Sequence, residues 1–313
     1  MRKIIITGGS GAVSSAFIEY FYEQFQFISF SRNVEKQIAL KQRFGKIELC
    51  MGSVENRDDL INTFVKIKPD IVIHAAALKH ISIAENQPIQ AIKTNLLGSL
   101  NVIEASQAAN VPVTIGISSD KACLSNSVYG HTKNLMERAF FESDNEKTRF
   151  LSCRLCNVVG SHGSVIPFWL DLAKKNEPLK ITNPKMNRFM MLPDETALLI
   201  KKAVDLVEVE KHPFIITKKI KAVNMENMAH CISSKIEVSG KRLGERLNET
   251  LVCAKEIPFT YINDDYILIK SQKNPLKETR LSNVLETLKS EKMNESEIKN
   301  LIKHVELMYE NIN

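Results

Sequence analysis

The chain has 313 residues, 44% of them hydrophobic, enough to bury one large core or two modest ones, which points to a globular protein. Its formal net charge of +6 comes from basic residues spread along the chain, with no sustained basic stripe. Nucleic-acid binding is therefore not expected, whereas an anionic small molecule suits the same balance. No apolar run reaches the about 18 residues of a membrane span, and Met1 leads straight into "KIIIT" with no cleavage site. The expectation is a cytoplasmic protein with no membrane partner.

"KIIIT" reads as a first strand, and "TGGSGAVSSA" after it as a turn opening a helix near Ala12. Gly8, Gly9 and Gly11 allow the backbone to turn tightly and approach a pyrophosphate at the positive end of that helix. In this strand, turn and helix context, Thr7, Gly8, Ser10, Gly11, Ala12 and Val13 form the expected phosphate cradle of a nucleotide. Ser14 stands where a third glycine is usual, and its small side chain is expected to loosen helix packing without blocking the phosphate.

The second strand, "FQFISF", runs into Ser31, Arg32 and Asn33, with Lys36 a turn later. An acidic residue there would hold the ribose hydroxyls of NAD, whereas an arginine complements a 2′-phosphate. NADP is the expected cofactor; the alternative is a solvated surface arginine. After the third strand, "IELCM", Ser53 and Val54 are placed to border the adenine. The fourth strand, "DIVIHAAA", is flanked by His74 and His80, read as packing or loop residues, and the helix-patterned "QPIQAIKTNLLGSLNVIEASQAAN" follows.

The fifth strand, "VTIGIS", leads into "SDKACLSNSVYGHTKNLMERAF". Tyr129 and Lys133 are four apart on a predicted helix and share a face. The ammonium can lower the phenol's pKa from its usual value of about 10 and make a base for a sugar hydroxyl. The sixth strand, "RFLSCRL", contains Cys153, and Cys156 follows it; a lone CxxC in a strand reads as buried, reduced thiols, so no metal is expected. Strict alternation of strand and helix predicts an α/β doubly wound parallel sheet, the Rossmann type.

After residue 157 the rhythm breaks, and a second, smaller substrate-binding domain is expected. The division is 1–157, completed by 190–217, for the cofactor domain, and 158–189 with 218–313 for the substrate domain. The tail reads as an amphipathic helix opened by Asn294 or Ser296.

With these residues in place, the chain resembles the extended short-chain dehydrogenase/reductases, and more closely the nucleotide-sugar 4,6-dehydratases acting on UDP-N-acetylglucosamine. The markers are "TGGSG", "HAAALKH", "KTNLLGSLNVI", "SSDKA", "YGHTK", "RLCNVVGSHGSVIPF", "MNRF" and "GERLNE", spanning at least residues 1 to 250. Most telling is Asp120-Lys121, since the branch acting on glucose nucleotides carries Asp-Glu there. The resemblance implies a tightly bound NADP regenerated each cycle, a UDP-N-acetylhexosamine substrate and a homo-oligomer. It implies further that Ala75, Ala76, Ala77, Lys79 and Asn95 border the cofactor, and that Lys79 and Asn95 also border the active site. Asn157, Arg188 and Arg246 would address the diphosphate, Ser164 and Val165 the uracil, and Glu249 the nucleoside side. Departures from the family pattern are Ser14 for glycine, Ser53 for aspartate, Ser119 for threonine, His162 for arginine and Asn248 for histidine.

The implied chemistry starts with Tyr129 taking the proton of the C4 hydroxyl as hydride leaves C4, with Lys133 on the nicotinamide ribose and Ser119 steadying the oxygen. Lys121 then removes the acidified C5 proton, Asp120 protonates the departing C6 hydroxyl, and hydride returns to C6. Bringing a lysine from about 10.4 to near 7 costs about 4.6 kcal/mol. An ionised Asp120 opposes this by up to about 4 kcal/mol at an effective dielectric near 20. Asp120 is therefore expected to be protonated whenever Lys121 is neutral, the alternative being a plain Asp-Lys ion pair. The sequence leaves retention or inversion at C5 open, with inversion favoured. Two alternatives to the dehydratase remain: a reductase or 4-epimerase using only Ser119, Tyr129 and Lys133, and a non-catalytic NADP-binding module.

Overall fold

The computed structural model describes residues 1–161, 163–240, 243–271 and 281–310. Its first half alternates as the apolar runs foretell. β1 (Arg2–Thr7), α1 (Ala12–Phe21), β2 (Phe25–Ser31), α2 (Val34–Arg43), β3 (Glu48–Met51), α3 (Arg57–Ile67) and β4 (Ile71–His74) come first. The single helix read after β4 is divided into α4 (Ile81–Asn86), α5 (Pro88–Ala91), a π-helical segment Ile92–Leu97 and α6 (Gly98–Ala108). β5 (Val113–Ser119), a 3₁₀ turn at Asp120–Ala122, α7 (Val128–Ser143) and β6 (Arg149–Leu155) follow.

Shorter elements then appear: β7 (Asn157–Val158), α8 (Val165–Lys174), β8 (Leu179–Ile181), β9 (Asn187–Met191), α9 (Pro193–Leu206), β10 (Phe214–Lys218), β11 (Ala222–Asn224) and α10 (Met225–His230). The chain continues with β12 (Ile236–Val238), β13 (Thr250–Val252), β14 (Thr260–Asn263), β15 (Tyr266–Lys270), β16 (Leu285–Glu286) and α11 (Glu295–Glu310). Asn294 opens α11: its carboxamide accepts from the Glu297 amide at 2.9 Å, and its own amide donates to the Glu297 carboxylate at 2.8 Å.

The main sheet has nine strands in the order β14-β15-β10-β6-β5-β4-β1-β2-β3. The seven from β10 to β3 are parallel, and β15 and β14 add an antiparallel hairpin. Ile4, Ile5 and Ile6 of β1 are fully buried, as a strand covered by helices on both faces requires. The direction of strand succession reverses between β1 and β4, so a crevice opens at their carboxyl ends. The sequence reading placed 260–270 with the smaller unit; these residues instead extend the large sheet, because Leu268 and Ile269 bury their side chains against it. A second apolar cluster, with Trp169, Met228 and Val305 at its centre, holds α8, α10 and α11 around β8, β9 and β11.

Candidate active site

A cleft of about 870 Å³ follows the carboxyl ends of β1, β2, β4 and β5 and is closed on its far side by β9 and α8. At its floor the turn after β1 is built as its glycines demand. Gly8 has φ of +70°, and a β-carbon there would meet the Ala76 backbone at 2.8 Å. Ser14 is buried and donates to the Gly8 carbonyl at 3.0 Å, so the side chain expected to loosen the helix ties it to the turn. Ser10, Gly11, Ala12 and Val13 line the cleft, while Thr7 lies behind it, its hydroxyl 2.7 Å from His74 Nδ1.

Ser31, Arg32, Asn33, Lys36, Ser53, Val54, Ala75, Ala76, Ala77 and Lys79 line the same end of the cleft. The Asn33 side chain caps α2 through the Lys36 amide at 2.8 Å. Arg32 projects largely into solvent and reaches Glu55 at 3.5 Å. Burial, and then the nearby Lys36, hold the Lys79 ammonium below its ordinary pKa. Asn95 does not line the cleft. Fully buried in the π-helical segment, it accepts from the Leu78 amide at 2.7 Å and donates to the Thr132 hydroxyl at 3.1 Å, fixing the 75–79 loop against α7.

The second half of the site is organised by α7, whose first turn is capped by Ser127 through the Gly130 amide at 3.1 Å. Tyr129 and Lys133 are buried on the same face, as their spacing requires. Lys133 Nζ donates to the Ile117 carbonyl at 2.7 Å, and burial brings its pKa down to about 8 against a small pull upward from Glu137. The Tyr129 phenol is raised above its usual value by burial; Lys121 and a hydrogen bond with Ser119 pull it back. The cation acting on the phenol is thus Lys121, where the helix spacing alone pointed to Lys133.

Asp120 and Lys121 form the 3₁₀ turn after β5. Asp120 Oδ1 accepts from Ser119 Oγ at 2.9 Å and from Lys121 Nζ at 2.8 Å. Lys121 Nζ also donates to Asn157 Oδ1 at 3.1 Å and stands 3.6 Å from Glu249 Oε1. Burial draws the ammonium down, but Asp120 and Glu249 outweigh it, and Lys121 is held above its ordinary range. Asp120 first, and then Glu249 from a distant part of the sequence, hold the lysine's charge here, so the two residues rest as an ion pair.

Arg188 lines the cleft while its guanidinium donates to the Arg246 carbonyl at 2.8 Å and approaches Glu249 at 3.8 Å. Ser164 and Val165 line the cleft at the start of α8, and the Ser164 hydroxyl is buried without a hydrogen-bond partner. Arg246 is half-buried and does not line it. Asn157 and Glu249, assigned to the substrate's nucleotide end by resemblance, converge on Lys121, and Asn157 also lines the cleft. Asn248 accepts from the Asn187 side chain at 2.9 Å, and His162 lies outside the described residues.

Two features escaped the sequence reading. Arg154, fully buried, pairs with Glu137 of α7 at 2.7 Å and with Glu256 at 2.7 Å, locking that helix to the segment after β13. Cys123 and Cys253 lie beside Glu256, whose two oxygens both accept from Arg154. Cys153 and Cys156, the CxxC pair, are buried thiols. His74 is buried between Thr7 and Ser99, and His80 is an exposed residue at the start of α4.

Residues 4–271 match the family model described as "Polysaccharide biosynthesis protein". The chain belongs to this family. Among curated relatives, a UDP-N-acetylglucosamine 4,6-dehydratase (inverting) of Campylobacter jejuni is 32% identical over 280 residues, 86% of this chain and 82% of the relative. A UDP-glucose 4-epimerase of Rickettsia bellii is 33% identical over 280 residues, 82% and 79% of the two chains. Among solved structures, Pen from Bacillus thuringiensis superposes with a TM-score of 0.89 at 27% identity, covering 98% of each chain. A UDP-glucose 4-epimerase of Thermotoga maritima, at 16% identity and TM-score 0.69 over 98% and 99% of the chains, shares the fold. The resemblance read from the motifs is borne out by the family and by the dehydratase relative. Among the described residues, no helix is long and apolar enough to cross a membrane.

Proposed function

We propose that this protein is a nucleotide-sugar 4,6-dehydratase that takes UDP-N-acetylglucosamine to a 4-keto-6-deoxy product. The observation that carries the reading is the buried contact of Lys121 Nζ with Asp120 Oδ1 at 2.8 Å, beside Tyr129. Elimination of water across C5 and C6 needs a base and an acid in addition to the tyrosine at C4, whereas a 4-epimerase or reductase needs no such second pair.

A dinucleotide fits the other end of the cleft. The glycine turn leaves backbone open to a pyrophosphate, and Lys36 and Lys79 line the region an anion would occupy, with burial and then Lys36 disfavouring the charge on Lys79. Arg32 and Lys36 favour NADP over NAD. A nicotinamide bound there supplies hydride acceptance from C4 and hydride return to C6. The part completed by the large sheet holds that cofactor, and the 158–189 region with α10 and α11 covers the sugar nucleotide.

As the phenolate, which Lys121 and Ser119 favour against burial, Tyr129 takes the C4 hydroxyl proton. Lys133, anchored on Ile117, orients the ribose beside it. The Nζ proton of Lys121 passes to Asp120 along their 2.8 Å contact once the ketone has formed. The neutral amine then removes the C5 proton, and the protonated Asp120 gives its proton to the departing C6 oxygen, which restores the ion pair. Arg188 answers the diphosphate with its planar fork. Inversion at C5 accords with the Campylobacter relative's name.

The Rickettsia relatives' names favour a 4-epimerase as the second reading. Incubation with UDP-N-acetylglucosamine and trace NADP⁺ in heavy water separates the two. The dehydratase yields a 4-keto-6-deoxy sugar carrying deuterium at C5 with no net cofactor change. A C4 epimer that retains its oxygen at C6 and carries no deuterium would establish the epimerase instead.

A further inference from the structure

Glu249 is a side chain of the site whose position the dehydration scheme leaves unexplained. It precedes β13, its amide donates to the Thr287 hydroxyl at 2.9 Å, and its carbonyl accepts from the Thr287 amide at 2.8 Å, so its backbone is clamped on both sides. The carboxylate is buried, with Oε1 3.6 Å from Lys121 Nζ. Its Oε2 is buried with no hydrogen-bond partner, and the same is true of Asp120 Oδ2. Two carboxylates therefore bracket one amine, each with an acceptor position in reserve.

The chemistry explains why one carboxylate is insufficient. An acid that must keep its proton until the C6 oxygen departs is neutral at the moment the lysine begins to gain the C5 proton. Asp120 in that role cannot also be the counter-anion of the developing ammonium. A base supported by a third, fixed group is the recurring solution to this problem. Resting on the dehydratase reading, we infer that Glu249 is the positioning residue of the Lys121 base, its carboxylate holding Nζ in place and stabilising the ammonium formed when C5 is deprotonated.

The groups facing this pair are few. Asp120 and Tyr129 approach from the turn and α7, Cys156 from just after β6, Asn157 from β7, Arg188 from β9, and Arg246 from the segment before β13. Burial raises Glu249 above an ordinary carboxylate, and Lys121, Arg188 and Arg246 draw it back. Glu245 pairs with Arg188 at 3.7 Å and provides a control acid in the same segment.

The test is the titration of Lys121 in the full-length, substrate-free protein, followed by the ¹³Cε resonance assigned by its loss in Lys121→Met. Glu249→Gln keeps the shape and removes the charge; the Lys121 midpoint should fall by about one pH unit or more, while Glu245→Gln leaves it in place. An unmoved or raised midpoint in Glu249→Gln overturns the inference, whatever the protein's activity. If Glu249→Gln does not fold, Glu249→Asp, which withdraws the carboxylate, must lower the midpoint in the same direction, and an unmoved midpoint there overturns it equally. In the catalytic arm, C5 deuterium exchange should slow by about tenfold or more in Glu249→Gln, with partial recovery in Glu249→Asp, and KM should change little. Normal exchange in Glu249→Gln overturns the inference, whereas absence of exchange in the wild type counts against the dehydratase reading itself.

Discussion

The carbonyl oxygen of Lys121 lies against Gly130, in the space that a β-carbon on that residue would take. The glycine in "YGHTK" thus lets the turn carrying Asp120 and Lys121 pack directly onto the helix carrying Tyr129 and Lys133, which brings both halves of the chemistry into one site. Because the obstructing atom is backbone, relief requires the turn to move. Gly130→Ala should cost about 1 to 3 kcal/mol of stability and lower the dehydration rate by about a hundredfold. Cofactor affinity should stay near that of the wild type, and denaturant melts with parallel rate and binding measurements check this.

Ser14 supplies a second prediction. Its bond to the Gly8 carbonyl ties α1 to the phosphate turn, so Ser14→Ala should lose about 0.5 to 1.5 kcal/mol. It should also weaken cofactor binding by severalfold. Thermal melts with and without cofactor would register both effects. A neutral Ser14→Ala would mean that the hydroxyl contributes packing volume alone.

Burial first, and then the charge of Lys133, bring His74 down to about 3 from 6.5. The unfolded chain takes up a proton near the upper value and the folded chain only near the lower one. The unfolded state binds more protons between them, so stability falls as pH drops through this window, by about 1.4 kcal/mol per pH unit from this one group. Replacing His74 by Gln should remove one proton's worth of that slope in urea melts run across the upper part of the window.

Arg32 and Lys36 border the cleft end where the second strand finishes. If they answer a 2′-phosphate, Arg32→Asp should lower the ratio of NADP⁺ to NAD⁺ affinity by about tenfold or more, measured by equilibrium titration with each cofactor. Equal weakening for both cofactors would assign Arg32 a role that does not involve the 2′-phosphate.

Much of this was legible in the chain because the signals are local. The apolar runs from "KIIIT" to "RFLSCRL" mark consecutive parallel strands, the glycines after β1 announce a sharp turn, and the spacing of Tyr129 and Lys133 puts them on one helical face. What stayed hidden depends on contacts between distant segments. Residues 260–270 join the large sheet because their apolar faces pair with β10, which no local pattern states. Glu249 meets Lys121 across 128 positions through the clamping of β13 on β16, and that contact adds to Asp120 in holding the lysine's charge. Arg154 gave no signal, since a buried arginine in an apolar strand is recognisable only from Glu137 and Glu256 around it. The glycine in "YGHTK" was part of a noted motif, yet its reason became visible only with the turn packed against it.

The central claim is that Lys121 removes the C5 proton after C4 has been oxidised. Its most direct measurement is a single turnover of Lys121→Met loaded with NADP⁺ and UDP-N-acetylglucosamine, followed by nicotinamide absorbance and by mass spectrometry of the sugar nucleotide. The account predicts that reduced cofactor accumulates and that the sugar keeps its C6 oxygen. Water loss at the wild-type rate in this variant would contradict it.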